Sequence, residues 1–216
     1  MNQQIKRTIE ALRKNNMVPY YAQNRHEALE ILKSLINEND LIGLGGSMTL
    51  KEIGAISLVL GGGYNVIDRY SPNLTPKERD ECLRKALLSD VFLTSSNAVS
   101  EKGELINVDG FGNRVAALVY GPKSVIVVVG KNKIVADADA GFKRIKEIAA
   151  PKNCQRLNTE NYCFFKNECM ALSEESDYAF MGCDSESRIC CSYVVQSYQL
   201  IKDRIKVIIC NENLGY

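Results

Sequence analysis

Apolar residues at Ile5, Ile9 and Leu12 recur at helical spacing among the charges of MNQQIKRTIEALRKNN, which predicts an amphipathic helix at the start of the chain. Two further helices announce themselves by their caps. Asn24-Arg25-His26-Glu27 and Thr75-Pro76-Lys77-Glu78 each place a capping side chain three residues before a Glu, the second with Pro at the first helical position. Between them Leu41-Ile42-Gly43-Leu44 predicts a short strand, Thr49-Leu50-Lys51-Glu52 the opening of a helix, and Tyr64 to Asp68 a strand after the Gly61-Gly62-Gly63 stop. Asp90–Thr94 and Ser124–Gly130 are nearly unbroken β-branched runs, as strands covered on both faces require. Ala136–Ala149 reads as a helix ended by Pro151, and Ile205–Cys210 as a last strand. The alternation predicts an α/β protein with a mostly parallel sheet flanked by helices.

Composition narrows the class. The chain has 216 residues, 45% of them hydrophobic and 25% charged, enough to bury a sizeable core in one main domain. A net charge of +1, with Lys and Arg scattered among acids, argues against nucleic acid as a partner. The first segment is an amphipathic helix and not a signal peptide, and no apolar run reaches membrane-spanning length. These features predict a cytoplasmic protein without membrane insertion, whose eight cysteines are reduced. The oligomeric state stays open, with a homo-oligomer among the expectations.

Two segments carry candidate chemistry. Gly43-Leu44-Gly45-Gly46-Ser47-Met48-Thr49 is a glycine-rich turn between a strand and a helix, where amides and the Ser47 and Thr49 hydroxyls can hold an anion. Its spacing fits neither the dinucleotide fingerprint nor the phosphate-binding loop, and a tight turn capped by Thr49 explains it equally well. Thr94–Pro122 concentrates Gly103, Gly110, Gly112 and Gly121 with Asn107, Asn113, Glu104, Asp109 and Arg114 between apolar runs at Val91–Leu93 and Val115–Tyr120. A strand–loop–strand of this make-up is where a site would sit. Ser100 to Glu104 reads as a hairpin turn. A carboxylate from Asp109 or Glu104 near glycine amides can act as base or nucleophile, while Arg114 and the amides fix a substrate carboxylate or phosphate. Local turn bonding by Asp109 and Asn113 is the competing explanation. His26, beside Arg25 and Glu27 in a first helical turn, reads as solvated, which disfavours a His-dependent triad. Lys131 and Lys133 follow a strand, at the end where open α/β sheets bind ligands.

Taken together, these segments resemble the LUD domain, the lactate-utilisation protein family, over nearly the whole chain. The resemblance is carried by Gly45-Gly46-Ser47 with Thr49, Ser96-Asn97-Ala98, Asn107-Val108-Asp109-Gly110, Gly112-Asn113-Arg114-Val115-Ala116 and Tyr120-Gly121-Pro122. It continues through Val127–Gly130, Asn132-Lys133-Ile134-Val135, Ala149-Ala150-Pro151 and Leu214-Gly215-Tyr216. The resemblance implies the fold shared by ribose-5-phosphate isomerase, glucosamine-6-phosphate deaminase and CoA transferases. It also implies a link to L-lactate oxidation alongside iron–sulfur partner proteins. It raises Lys133 and Asn97 to substrate-binding candidates beside Gly45, Gly46, Ser47, Thr49, Asn113 and Arg114.

Cysteines crowd the C-terminal region. Cys163, Cys169, Cys183 and Cys190 fall in one segment flanked by Cys154 and Cys191, and the Ser187-Arg188-Ile189-Cys190 ending resembles that of similar runs in the family. Four thiolates can bind zinc or ligate an iron–sulfur cluster, yet the spacing is neither that of a zinc ribbon nor that of a ferredoxin, and Met170–Gly182 intervenes. Buried or redox-sensitive thiols in an irregular excursion are the alternative, and Cys82 and Cys210 read as core.

The expected organisation is therefore a single domain over 1–216, with N-terminal helices to residue 40, an α/β core over 41–150, a cysteine-rich segment over 151–191 and C-terminal strands over 192–216. Two functions fit. One is an enzyme acting on a small anionic metabolite such as a hydroxy acid, a sugar phosphate or a CoA thioester. The other is a non-catalytic metabolite-sensing or metal-carrying accessory subunit of an electron-transfer complex.

Overall fold

The computed structural model describes residues 1–172 and 183–216, so the acids Glu174, Glu175 and Asp177 of the intervening segment lie outside the described residues. The first helix, α1 (Gln3–Lys14), is capped by Asn2, whose Oδ1 accepts from the Ile5 amide at 2.8 Å. It buries Ile5, Ile9 and Leu12, each contributing about 1.5–3 kcal/mol by leaving water. Next comes β1 (Val18–Ala22), a strand where only helices were expected. Its Pro19 is tolerated because, among the described residues, β1 is an edge strand bonded to Ile205–Cys210 alone. Asn24 caps α2 (Arg25–Ser34) by accepting from Glu27 N, as the sequence predicts.

The chain continues through β2 (Leu41–Leu44), α3 (Met48–Glu52), α4 (Ala55–Leu60) and β3 (Asn65–Val66), a strand shorter than expected. Ser47, not Thr49, caps α3, because its Oγ accepts from Leu50 N while Thr49 turns inward and is fully buried. Thr75 and Glu78 form the predicted capping box of α5 (Pro76–Lys85). Strand β4 (Val91–Thr94) leads into a hairpin, β5 (Ala98–Ser100) and β6 (Leu105–Asp109), and then α6 (Asn113–Val119). The expected strand after the glycine loop is thus a helix. Gly112, at a φ of 79°, breaks the extended path, and Val115 and Leu118 then meet the core at helical spacing.

Strand β7 (Ser124–Gly130) precedes β8 (Ile134–Val135) and α7 (Ala138–Arg144). Here Pro151 does not end the helix. A π turn over Ile145–Ala149 widens the spiral, and α8 (Ala150–Leu157) continues with Pro151 in its first turn, where no amide is required. The chain closes with α9 (Tyr162–Lys166), β9 (Ser192–Gln196) and β10 (Ile205–Cys210).

Among the described residues six parallel strands form the main sheet, in the order β1-β10-β7-β4-β2-β3. Alternation along β7 explains its run of β-branched residues: Val125, Val127 and Val129 enter one core with α1, while Ile126 and Val128 enter the other with Ala28 and Leu32 of α2. The second sheet, β8-β5-β6-β9, is mixed and packs against α7 through Ile106, Val108 and Phe142. Its hairpin turn seats on α1, where a Cβ on Gly103 (φ 79°) would lie 2.5 Å from the Ala11 backbone. Among the described residues no helix is long and apolar enough to cross a membrane.

Candidate functional site

The carboxyl ends of β2, β4 and β7 face the end of β6 and the side of α8 across a cleft of about 230 Å³. Each wall is a loop that a strand delivers: Gly46-Ser47 after β2, Ser95-Ser96-Asn97 after β4, Asp109-Gly110-Phe111 after β6, and Lys133 after β7. Open parallel sheets place ligands at this end because the strands stop together there and helices begin. Among the described residues, four basic side chains, Arg69, Arg114, Lys133 and Arg156, line the cleft against one acid, Asp109.

Lys133 forms the floor. It is 3% exposed, and its Nζ donates to Thr49 Oγ1 at 2.9 Å and Ser95 Oγ at 3.0 Å, with no carboxylate paired to it among the described residues. Burial disfavours the ammonium, and the nearby Arg144 and Arg114 guanidinium groups add repulsion, so its pKa is pushed down to about 7. Arg144 reaches this floor from α7, donating to the Asn132 and Asn97 carbonyls. Its own pKa is lowered to about 10 by burial.

Arg114 plays a different part from the one its sequence position suggests. All five of its guanidinium N–H groups are spent within the protein. Nε donates to Asp109 Oδ1 and Nη1 to Ser95 O and Asn107 Oδ1, while Nη2 donates to Asn97 Oδ1 and Val108 O. It is a brace that joins the ends of β4 and β6, not a free anion clamp. Asp109 is engaged as fully, because its second oxygen accepts from the Arg114 amide at 2.9 Å.

Other candidates separate by position. Gly46, Ser47, Asn97 and Asn113 line the cleft. Gly45 shapes it from behind, since its amide donates to Leu93 O and a Cβ there would lie 2.8 Å from Thr94 Oγ1. Thr49 acts through Lys133. Glu104 stands apart, because the hairpin turn that carries it docks on α1: its carboxylate accepts from Ser100 Oγ, and Asn15 holds the Lys102 and Gly103 carbonyls. His26 is exposed.

Sequence reasoning missed Ser95, Arg69 and Arg156. Ser95 has a legible signal, a hydroxyl immediately after a buried β-run. Arg69 lies 5.6 Å from the Tyr70 ring, and Tyr70 in turn donates to Gly45 O, which ties this arginine to the glycine turn. Arg156 donates through Nε to Tyr216 Oη at 2.8 Å and to Asn153 Oδ1. Neither the Arg69 guanidinium nor Arg156 Nη1 has a hydrogen-bond acceptor among the described residues.

Cysteines gather around a second cavity. Cys154, Cys163, Cys169, Cys183 and Cys190 all line it, whereas Cys191 is exposed, Cys210 lies in the core and Cys82 is only half-buried. Cys154 thus joins the set read from the sequence. Hydrogen bonding with Cys154 and then Cys169 raises the Cys163 pKa, while the same contacts lower those of its two neighbours. Among the described residues no three metal-binding side chains already stand as a coordinating group.

Fold and cleft together define an α/β protein with a mostly parallel sheet flanked by helices and a cationic cleft at its strand ends. The chain belongs to the LUD domain family, whose sequence profile matches residues 5–210. Among solved structures it is similar to a DUF162 family protein from Deinococcus radiodurans, with 16% identity, 96% of each chain covered and a TM-score of 0.51, which shows a shared fold. No curated protein matches it.

Proposed function

We propose that the cleft binds a small metabolite bearing a carboxylate or phosphate, with the hydroxy and keto acids of lactate metabolism as the first candidates. One observation carries this reading: Lys133 is a buried lysine held by two hydroxyls and no carboxylate, at the floor of a cleft whose rim adds Arg69 and Arg156. A buried ammonium without a counter-charge is costly, and a bound anion supplies the missing charge. Arg69 and Arg156 have donors to spare for the same group, and Asn97 and Asn113 orient the remainder of the molecule. The cleft suits a small acid or a sugar phosphate. Of a CoA thioester it would admit only the acyl end.

Lys133, whose pKa is near neutrality, is the group best placed to exchange a proton with a bound hydroxyl or carbonyl. The second reading, a ligand-binding accessory subunit without chemistry, is favoured by the engagement of both Asp109 oxygens and the remoteness of Glu104.

Calorimetric titration with lactate, pyruvate, ribose 5-phosphate and inorganic phosphate tests the binding. An anion favours the charged lysine, so affinity is expected to hold below pH 7 and to weaken by up to about tenfold per pH unit above it. Lys133→Met is expected to abolish binding. Retained affinity in that variant, or no response to any of the four compounds, would sink the proposal. Turnover of a compound that binds, assayed with an artificial electron acceptor, then separates enzyme from accessory subunit.

A further inference from the structure

Five thiols from separate segments converge on one enclosed space. Cys154 comes from α8, Cys163 from α9, Cys169 from just beyond it, and Cys183 and Cys190 from the segment that leads into β9. Cys154, Cys163, Cys169 and Cys190 are buried, Cys183 is half-buried, and all five are free thiols. An apolar core would use cysteine as a small hydrophobe and would keep charge away. Here Lys146 and Arg188 line the same cavity.

We propose that this cavity is a binding site for a single thiophilic divalent ion of the zinc class, held by Cys163, Cys169 and Cys190 with a fourth thiolate from Cys154 or Cys183. Size suits one ion, because the space left between the thiols is about 10 Å³, room for one water-sized sphere. Charge agrees: four thiolates around a dication leave a net charge of −2, which the two basic side chains offset. Asn161 supplies outer support, its Nδ2 donating to Cys154 Sγ at 3.5 Å and to Ser187 O at 3.1 Å. Each thiol that enters coordination gives up its proton to the buffer, and the side chains turn inward to close the tetrahedron.

The test uses the full chain, purified anaerobically under reducing conditions, with metal content measured by mass spectrometry and Co²⁺ exchanged in as an optical probe. One equivalent of zinc is expected, together with an intense thiolate-to-cobalt charge-transfer band. Cys163→Ser and Cys169→Ser are each expected to weaken zinc at least tenfold against a competing chelator, while Cys191→Ser leaves it unchanged. Of Cys154→Ser and Cys183→Ser, one is expected to weaken binding, which identifies the fourth ligand. For variants that fail to fold, unfolding of the unmodified protein decides, because its midpoint should rise with zinc and fall back on chelation. The proposal is overturned by a zinc-insensitive midpoint, by full affinity in a Cys163→Ser/Cys169→Ser double variant, or by both Cys154→Ser and Cys183→Ser binding normally. Co-purified iron with inorganic sulfide, or a native disulfide within the cluster, would overturn it equally. Anion binding in the cleft is measured separately and does not depend on the result.

Discussion

The cationic cleft and the cysteine cavity share a wall, Ala150 and Ile189, yet they are built on opposite plans. Strands deliver the cleft. Its polar groups arrive at fixed heights where β2, β4, β6 and β7 end, and Arg114 with its five internal bonds locks two of those ends together. The cavity is delivered by α8, a short helix and loops, and its thiols satisfy one another. The contrast separates two ways of holding charge: the cleft holds cations rigidly and leaves a gap for an anion, whereas the cavity holds potential anions loosely beside two cations. Rigidity belongs to the cleft because Asp109, Asn97 and Asn107 each answer to the same guanidinium.

The comparison breaks most completely at Arg114. Arg114→Met should cost about 3–5 kcal/mol, because it strands Asp109 and two amides in a largely buried site. Urea unfolding measures it, and Arg114→Lys should recover little, since a single ammonium cannot reach five acceptors. Next in size is Gly103→Ala, expected to cost about 2 kcal/mol or more through its positive φ and its clash with α1. It should leave anion affinity intact, because that hairpin turn faces away from the cleft.

Lys133→Met sharpens the contrast with a change of sign. The folded-state pKa of Lys133 is depressed to about 7, so the unfolded chain binds more protons between pH 7 and the ordinary lysine value of 10.5. Stability of the unliganded protein should therefore rise with pH across that window. The variant should lose that rise and be no less stable than the parent at pH 6, as thermal melts across pH will report. Ile189→Ala, at the shared wall, should cost about 2 kcal/mol and weaken ligand binding in both cavities by a few-fold. The smallest effect serves as a control: Asn24→Ala removes a cap remote from both cavities and should cost about 1 kcal/mol with no effect on either ligand.

Much of this was legible in the sequence. The run Ser124–Gly130, the caps at Asn24 and Thr75 and the alternation of strands and helices predict the parallel sheet, because local propensity and burial agree there. Gly46, Ser47, Asn97, Asp109, Asn113, Arg114 and Lys133 come together as residues of one cleft. Their roles were harder to read. Arg114 looks like a substrate clamp until its partners are known, and two of those, Ser95 O and Val108 O, are backbone carbonyls that carry no side-chain identity in a sequence. Glu104 was misplaced because hairpin geometry, not proximity in sequence, decides which way a turn faces. The strand at Val18–Ala22 was missed because Pro19 argues against a strand and only the pairing with Ile205–Cys210 overrides it.

The π turn over Ile145–Ala149 has a consequence of its own for this molecule. One extra residue in a turn re-phases everything downstream by about 100°. As folded, α8 presents Asn153, Arg156 and Leu157 to the cleft and Cys154 to the cysteine cavity, with Ala150 at the boundary. Deleting one residue from that turn would restore regular helical winding and rotate both faces together, carrying Cys154 away from its neighbours and Arg156 away from the cleft. A single wide turn thus sets the compass bearing of two unrelated chemistries.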